Sequence, residues 1–126
     1  MKTILIVEDN EKNMKLVRDI LRHNGHTTIE ATTGGEGVRL ASETRPDLIL
    51  MDIQLPDIDG IEALRRIRED SALDAVAVIA VSASVMPDDQ QKIVTSGFDA
   101  FVTKPINLKQ FRDTVQRFLT HGRKAS

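Results

Sequence analysis

The segment DLILMDIQLPDIDG, residues 47–60, contains a run of apolar residues that ends directly on an acid. Residues 48–51 are all apolar, and Asp52 follows them without a break. A short continuous apolar run of this kind is typical of a central strand that is covered on both faces. A charge beside such a strand is costly unless another group pairs with it. The segment therefore predicts a buried strand, and it predicts that the rest of the chain supplies a partner for Asp52.

Comparable runs recur along the chain and predict a parallel sheet. Five segments are predicted as strands: Thr3–Val7, Thr27–Ala31, Asp47–Asp52, Val76–Ser82 and Ala100–Thr103. Five segments of helical periodicity alternate with them, and residues 28–31 alternate in polarity as an edge strand does. Parallel strands need crossover connections, so the pattern predicts a doubly wound α/β fold. Ligands of such folds bind beyond the C-terminal ends of the strands.

Turn-forming and capping residues agree with these boundaries. Thr33-Gly34-Gly35-Glu36 has the pattern of a capping box that opens the second helix. Gly25 and Gly122 lie where helices are expected to end, and Pro87 suits the first turn of the fourth helix. Residues 122–126 are expected to form a short frayed tail.

Length and composition limit the classes of protein that the chain can represent. At 126 residues it is expected to form one domain over residues 1–121, with no output domain. It has no cysteine, no signal-peptide pattern and no apolar stretch near the roughly 18 residues of a membrane span, so a cytoplasmic protein is expected. The net charge is −2 and there is no Trp or Tyr, which argues against nucleic-acid binding.

Polar side chains follow four of the predicted strands at their C-terminal ends. Glu8 and Asp9 follow the first strand, Asp52 ends the third, Ser82 ends the fourth and Lys104 follows the fifth. Neighbouring carboxylates repel each other by something on the order of 4 kcal/mol at an effective dielectric of about 20, so the acids require a cation. Hard oxygen ligands without nearby His or Cys favour Mg²⁺.

Each of these residues also has a plain structural explanation when it is taken alone. The three acids could cap helix N-termini, which is a common role for acidic residues. Ser82 could make a local hydrogen bond, and Lys104 could be a solvated surface amine. Their arrival at one edge of the sheet from different strands favours the functional interpretation.

The chain resembles the receiver domains of bacterial two-component response regulators, the CheY-like superfamily, over essentially its whole length. The resemblance rests on four segments in the family's order: ILIVEDN, LILMDIQLPDIDG, AVSAS and VTKPI. Within the family, NMKL and PDLILMDIQLP are similar to stand-alone regulators of cell-division signalling. The resemblance implies a flavodoxin-like (βα)5 fold with strand order 2-1-3-4-5.

The resemblance also implies a metal site and a phosphoacceptor. By this similarity Asp52 accepts the phosphoryl group, and Asp9 and Asp52 bind Mg²⁺ together with the backbone carbonyl of Gln54. Glu8 would take part through water, and Mn²⁺ would be able to substitute. The peptide bond before Pro105 would be cis, as in the family.

Further roles follow from the same resemblance. Ser82 and Lys104 would contact the bound phosphoryl group, and Ser82 would pair with Phe101 as a conformational switch. Gln54 and Ser84 would tune hydrolysis of the aspartyl phosphate.

The resemblance implies a signalling domain that assists its own phosphorylation and dephosphorylation, rather than an enzyme. Phosphoryl groups would come from a histidine kinase or a histidine phosphotransfer protein. The phosphorylated domain would bind an adaptor or effector through the face formed by helix 4, strand 5 and helix 5. No membrane partner is expected, and the protein is expected to be a monomer.

Three alternative functions fit the sequence less well. A small Mg²⁺-dependent phosphohydrolase of the haloacid dehalogenase type would need a second acid two residues after its nucleophile, where this chain has Gln54. A nucleotide-binding module would need the Lys-Ser/Thr of a phosphate loop, which the glycines of residues 34–37 lack. A pseudo-receiver that binds partners without phosphorylation would have lost acids or the lysine, and this chain retains them.

Overall fold

A computed structural model of the chain describes residues 2–83 and 86–125. The strands are β1 (Thr3–Val7), β2 (Thr27–Ala31), β3 (Leu48–Asp52), β4 (Ala77–Ser82) and β5 (Ala100–Thr103). The helices are α1 (Glu11–His23), α2 (Gly34–Thr44), α3 (Gly60–Arg68), α4 (Pro87–Thr95) and α5 (Leu108–His121). Short 3-10 turns cover Ser71–Leu73 and Gly122–Ala125.

The five strands form one parallel sheet in the order β2-β1-β3-β4-β5, which confirms the predicted α/β fold and strand order. β1, β2 and β5 have the predicted bounds, whereas β3 and β4 each begin one residue later than predicted. At the start of β3, the Asp47 carboxylate accepts a hydrogen bond from the Thr3 amide at 2.8 Å. Asp47 therefore links the start of β3 to the start of β1 through its side chain, although it is not part of the strand itself. β2 lies at an edge of the sheet, as its alternating polarity predicts.

Helices cover both faces of the sheet, and this explains the continuous apolar runs. In β1, Ile4 and Ile6 face α1 and α5, whereas Leu5 and Val7 face α2, α3 and α4. Successive side chains of a strand point to opposite faces, so a strand between two helical layers is apolar at every position. The carboxyl ends of β1, β3 and β4 are thereby held in one rigid layer. Among residues 2–83 and 86–125, no helix is long and apolar enough to cross a bilayer.

The helix boundaries follow the predicted capping residues. The Thr33 hydroxyl accepts a hydrogen bond from the Glu36 amide at 3.1 Å, and the Glu36 carboxylate accepts one from the Thr32 amide at 2.9 Å. The predicted capping box is therefore present, with its return bond moved one residue toward the N-terminus. Pro87 is the first residue of α4, as predicted.

The beginning of the predicted tail, at Gly122 and Arg123, is held against the domain, and Ser126 lies outside the described residues. The chain turns at Gly122, and the Arg123 guanidinium lies 2.9 Å from a carboxylate oxygen of Asp99. Arg123 also donates a hydrogen bond to the Asp74 carbonyl at 2.9 Å. Asp99 directly precedes β5. Arg123 therefore contacts the N-terminal end of the sheet, whereas the acids lie at its C-terminal end.

Candidate functional site

Three acids come together where β1 and β3 end. Glu8 and Asp52 are buried, with 3% and 5% of their surfaces exposed, and Asp9 is exposed beside them. One carboxylate oxygen from each acid lies within 4.8 Å of the others. Carboxylate oxygens at this spacing fit a divalent cation such as Mg²⁺, which binds through a few carboxylates and retains water at its other positions. The convergence predicted from the strand order is therefore present.

Lys104 supplies the partner that the buried acids require. Its Nζ lies 2.9 Å from Glu8 Oε1 and 3.0 Å from Asp52 Oδ2. The backbone positions this side chain, because the Lys104 amide donates a hydrogen bond to the Ser82 carbonyl at 2.8 Å, in continuation of the ladder between β4 and β5. The Lys104–Pro105 peptide bond is cis, as the family resemblance implied. One ammonium thus bridges the ends of two strands.

The surroundings of Glu8 and Lys104 shift the pKa of both groups. Burial and, to a smaller extent, the hydrogen bond with Asp52 raise the pKa of Glu8, the contacts with Lys104 and the Asn10 amide oppose this shift, and the resulting pKa is about 7. Burial opposes the charge on Lys104, but its hydrogen bonds to Glu8 and Asp52 outweigh that effect and raise the pKa of the ammonium. At neutral pH without metal, Glu8 is therefore protonated and uncharged in a substantial fraction of the molecules.

Metal-free protein is expected to lose stability as the pH rises from 4.5 to about 7. The ordinary pKa of Glu8 is 4.5 and its folded value is about 7, so in this window the folded state binds more protons than the unfolded state. The stabilisation is complete below pH 4.5 and is lost as the pH passes through the folded value. The shift corresponds to roughly 3 kcal/mol at most. Urea denaturation in EDTA, followed by far-UV circular dichroism at several pH values, measures it.

A Glu8→Gln variant is the matched control for this pH dependence. Its side chain has a similar shape and cannot ionise, so its stability should change much less between pH 4.5 and 7. An equal slope in wild type and Glu8→Gln would show that another group causes the pH dependence.

The loop between β3 and α3, residues 53–59, surrounds Asp52 and is fixed at both ends. The Ile53 amide donates to the Val81 carbonyl at 3.2 Å, and the Gly60 amide donates to the Ile53 carbonyl at 2.8 Å. The Gln54 amide donates to Asp52 Oδ1 at 3.0 Å. This bond leaves Oδ2 to Lys104, so both oxygens of the buried carboxylate have a partner.

The same loop also contacts the beginning of α2. Asp57 Oδ1 accepts a hydrogen bond from the Gly34 amide at 2.8 Å, and Asp57 Oδ2 accepts one from the Gly35 amide at 2.9 Å. These two bonds are called the Asp57 bridge below. The amides of Gly35 and Gly34 lower the pKa of Asp57 to about 2, so the bridge is anionic at physiological pH.

Two further predicted residues lie beside the acid cluster. Ser82 is 5% exposed at the end of β4, and it lines a cavity of about 220 Å³ together with Asp52, Gln54 and Lys104. Phe101 is half-buried in β5, opposite Ala80 of β4 and two residues from the partner of Ser82. Ser84, predicted to tune hydrolysis, lies outside the described residues.

Three residues around the site were not identified from the sequence. Asp57 forms the bridge to α2, and Asp59 caps α3 by accepting a hydrogen bond from the Glu62 amide at 2.8 Å. A Cβ placed on Gly60 would lie 2.5 Å from the backbone oxygen of Asp52. The dipeptide Asp59-Gly60 before an apolar helical stripe could have indicated a helix N-cap followed by a residue whose backbone packs closely against another segment. No sequence signal distinguishes Asp57 from other acidic loop residues.

Comparisons with known proteins agree with this geometry. The chain matches the family described as response regulator receiver domain over residues 4–116. It is 45% identical over 118 residues to the polar-differentiation response regulator DivK of Brucella anthropi, covering 94% of this chain and 96% of that protein. This relative bears out the resemblance to stand-alone regulators.

Solved structures agree as well. The receiver domain of a sensor histidine kinase from Pseudomonas aeruginosa, described with a magnesium ion coordinated in its active-site cleft, superposes with a TM-score of 0.88 and 32% identity, covering 94% of this chain and 98% of that one. The chemotaxis response regulator CheY4 of Vibrio cholerae superposes with a TM-score of 0.87 and 25% identity, covering 93% and 98%. The buried acids with their bridging lysine, the strand order and these matches lead to one conclusion: the chain belongs to the response regulator receiver domain family, the signalling domain of two-component systems.

Proposed function

We propose that Asp52 is the residue on which this receiver domain accepts its phosphoryl group, in a reaction that requires Mg²⁺. The observation that carries the proposal is the bridge from Lys104 Nζ to Asp52 Oδ2 and Glu8 Oε1, at 3.0 and 2.9 Å, beside the exposed carboxylate of Asp9. A carboxylate at the C-terminal edge of a parallel sheet, with a cation already in contact, has the surroundings that phosphoryl transfer requires.

The reaction needs little from the protein beyond position and charge. An oxygen of Asp52 attacks phosphorus and forms a new P–O bond, while the bond from phosphorus to the donor breaks and the leaving group takes its electron pair. Lys104 would stabilise the charge on the transferred oxygens, and Ser82, which lines the same cavity, would donate a hydrogen bond to them from its hydroxyl. When bound, Mg²⁺ supplies positive charge to the same oxygens.

The ligands proposed for the metal are the carboxylates of Asp9 and Asp52 and the backbone carbonyl of Gln54, with Glu8 acting through water. Mn²⁺ prefers similar oxygen ligands and is expected to substitute. The exposed Gln54 side chain stands at the cavity and could orient a water molecule for hydrolysis of the aspartyl phosphate, a role that Ser84 would share. Through Lys104 and Mg²⁺, the domain would assist both its phosphorylation and its dephosphorylation.

Phosphorylation would be converted into protein binding by Ser82 and Phe101. Ser82 would turn toward the phosphoryl group and the half-buried Phe101 ring would turn inward, which would change the face formed by α4, β5 and α5. Support for this surface comes from α4, whose nine residues are all described and bury Ile93 alone, whereas Val94 is 54% exposed. A helix that buries few side chains can be displaced at a small cost in free energy.

A histidine kinase or histidine phosphotransfer protein is the donor we propose, and an adaptor or effector protein is the proposed receiver of the signal. The family match to two-component signalling domains supports both. We infer a cytoplasmic protein from the composition and from the absence of cysteine in the chain, and we propose a monomer as its default form.

Incubation with acetyl phosphate tests this function. We expect intact-protein mass spectrometry to detect one phosphoryl adduct when Mg²⁺ is present and none in EDTA, with Mn²⁺ restoring the adduct. Failure of the folded, Mg²⁺-loaded protein to form an adduct would contradict the proposal. Steady release of phosphate without an accumulated adduct would instead indicate a phosphohydrolase.

A further inference from the structure

The middle of the β3–α3 loop is attached to the beginning of α2 by complementary features of both segments. The Asp57 carboxylate spans the Gly34 and Gly35 amides at 2.8 and 2.9 Å. The next loop residue, Ile58, fills the space left by the missing side chain of Gly34, because a Cβ there would lie 2.5 Å from Ile58 Cγ1. A polar contact and an apolar contact therefore fix the same two loop residues against α2.

This attachment lies in the same loop as Gln54, between two points where the loop is fixed. Ile53 is held by the sheet and Gly60 by the Ile53 carbonyl, at 3.2 and 2.8 Å respectively. Between these two points the loop has two further attachments: the Gln54 amide donates to Asp52 Oδ1 at 3.0 Å, and the Asp57 bridge holds the chain three residues beyond Gln54. Pro56, directly before Asp57, restricts the backbone further, since its ring fixes φ.

We propose that Asp57 is a positioning residue that holds the backbone carbonyl of Gln54 in place for the divalent metal. The inference rests on the proposed function, since it takes that carbonyl as a metal ligand. A ligand that is already immobile before binding loses little conformational freedom when the metal arrives, so a fixed loop strengthens metal binding without any direct contact between Asp57 and the ion.

The competing explanation is that Asp57 serves only to cap α2. A carboxylate at a helix N-terminus stabilises the helix through its first amides and through the dipole. Thr33 separates the two explanations, because its hydroxyl also caps α2, through the Glu36 amide at 3.1 Å, and makes this bond within the helix rather than to the loop. Thr33→Val weakens the same helix terminus and leaves the Asp57 bridge intact.

The experiment compares wild type, Asp57→Ala, Asp57→Asn and Thr33→Val by isothermal titration with MgCl₂. We expect Asp57→Ala to weaken Mg²⁺ binding by about tenfold, a loss typical of residues that orient metal ligands. Asp57→Asn should lose less, because its single carbonyl oxygen can still accept one of the two hydrogen bonds. Thr33→Val should bind Mg²⁺ as wild type does.

A second readout needs no metal. Amide hydrogen exchange of Gly34 and Gly35 in EDTA should be faster in Asp57→Ala than in wild type, and the Gln54 amide should exchange faster with them. In Thr33→Val, exchange at Gln54 should be unchanged.

Each alternative result has a distinct meaning. Equal losses of Mg²⁺ affinity in Asp57→Ala and Asp57→Asn would overturn the inference in favour of a simple charge effect, and an equal loss in Thr33→Val would overturn it in favour of helix stability. Unchanged affinity in Asp57→Ala overturns the inference alone. Wild-type protein that binds no Mg²⁺ overturns the proposed function as well.

Discussion

Replacing Asp52 with asparagine is expected to abolish the phosphoryl adduct while the protein stays folded. An amide oxygen is a far weaker nucleophile than a carboxylate oxygen. Asparagine has the same size as aspartate and keeps an oxygen that can accept the hydrogen bond of the Gln54 amide, which lies 3.0 Å from Asp52 Oδ1 in the wild type. Lys104 retains Glu8 as an ion-pair partner at 2.9 Å. Intact-protein mass spectrometry after incubation with acetyl phosphate and Mg²⁺ measures the loss.

The same substitution should stabilise the metal-free protein at neutral pH. Burial is the main reason for the raised pKa of Glu8, and the neighbouring Asp52 carboxylate adds to it. Without the charge of Asp52, Glu8 ionises more readily beside Lys104, so the energetic cost of two buried acids falls. Urea denaturation at pH 7 in EDTA should show a higher midpoint for Asp52→Asn than for wild type.

Asp47→Asn is the matched control for this result. Asp47 precedes the same strand at its other end, and asparagine can still accept the hydrogen bond from the Thr3 amide. This variant should form the adduct at the wild-type rate. An adduct on Asp52→Asn, or its loss in Asp47→Asn, would contradict the assignment of the acceptor, and peptide mapping would then identify the residue that is modified.

The fold and the main site residues were predictable because burial determines both. A strand covered on two faces must be apolar along its length, so a polar residue such as Glu8 or Asp52 marks its end. In a parallel sheet all such ends lie at one edge, which brings Lys104 to the two acids across 96 and 52 residues of sequence. The predicted bounds of β1, β2 and β5 agree with the structure.

The contacts that arrange the loops could not be predicted in this way. Asp57 meets Gly34 across 23 residues, and its partners are backbone amides, which every residue except proline has. Arg123 likewise reaches Asp99 only because the chain turns after α5. Neither contact produces a periodic pattern in the sequence. The ends of the strands can therefore be predicted, whereas the loop contacts around them cannot.

Replacing Gly60 with alanine is expected to destabilise the protein and to impair phosphorylation beyond the effect on stability. A Cβ at this position would lie 2.5 Å from the Asp52 backbone oxygen and 2.9 Å from Ile53 Cα. Both are backbone atoms, so no side-chain rotation relieves the overlap, and β3 or α3 must move. Overpacking of this kind costs about 1–3 kcal/mol, and a displacement of about 1 Å at a reacting group can reduce a rate by about 100-fold.

Ala63→Gly separates these two effects, because it weakens α3 without approaching Asp52. Ala63 is fully buried three residues further along the helix, and its removal costs stability through lost packing and a more flexible backbone. At a temperature where both variants are folded, Ala63→Gly should be phosphorylated by acetyl phosphate at the wild-type rate, and Gly60→Ala much more slowly. Equal rates would mean that the close approach of α3 to β3 matters for folding alone. A slow Gly60→Ala would show that the missing side chain at the start of α3 sets the position of the Asp52 carboxylate.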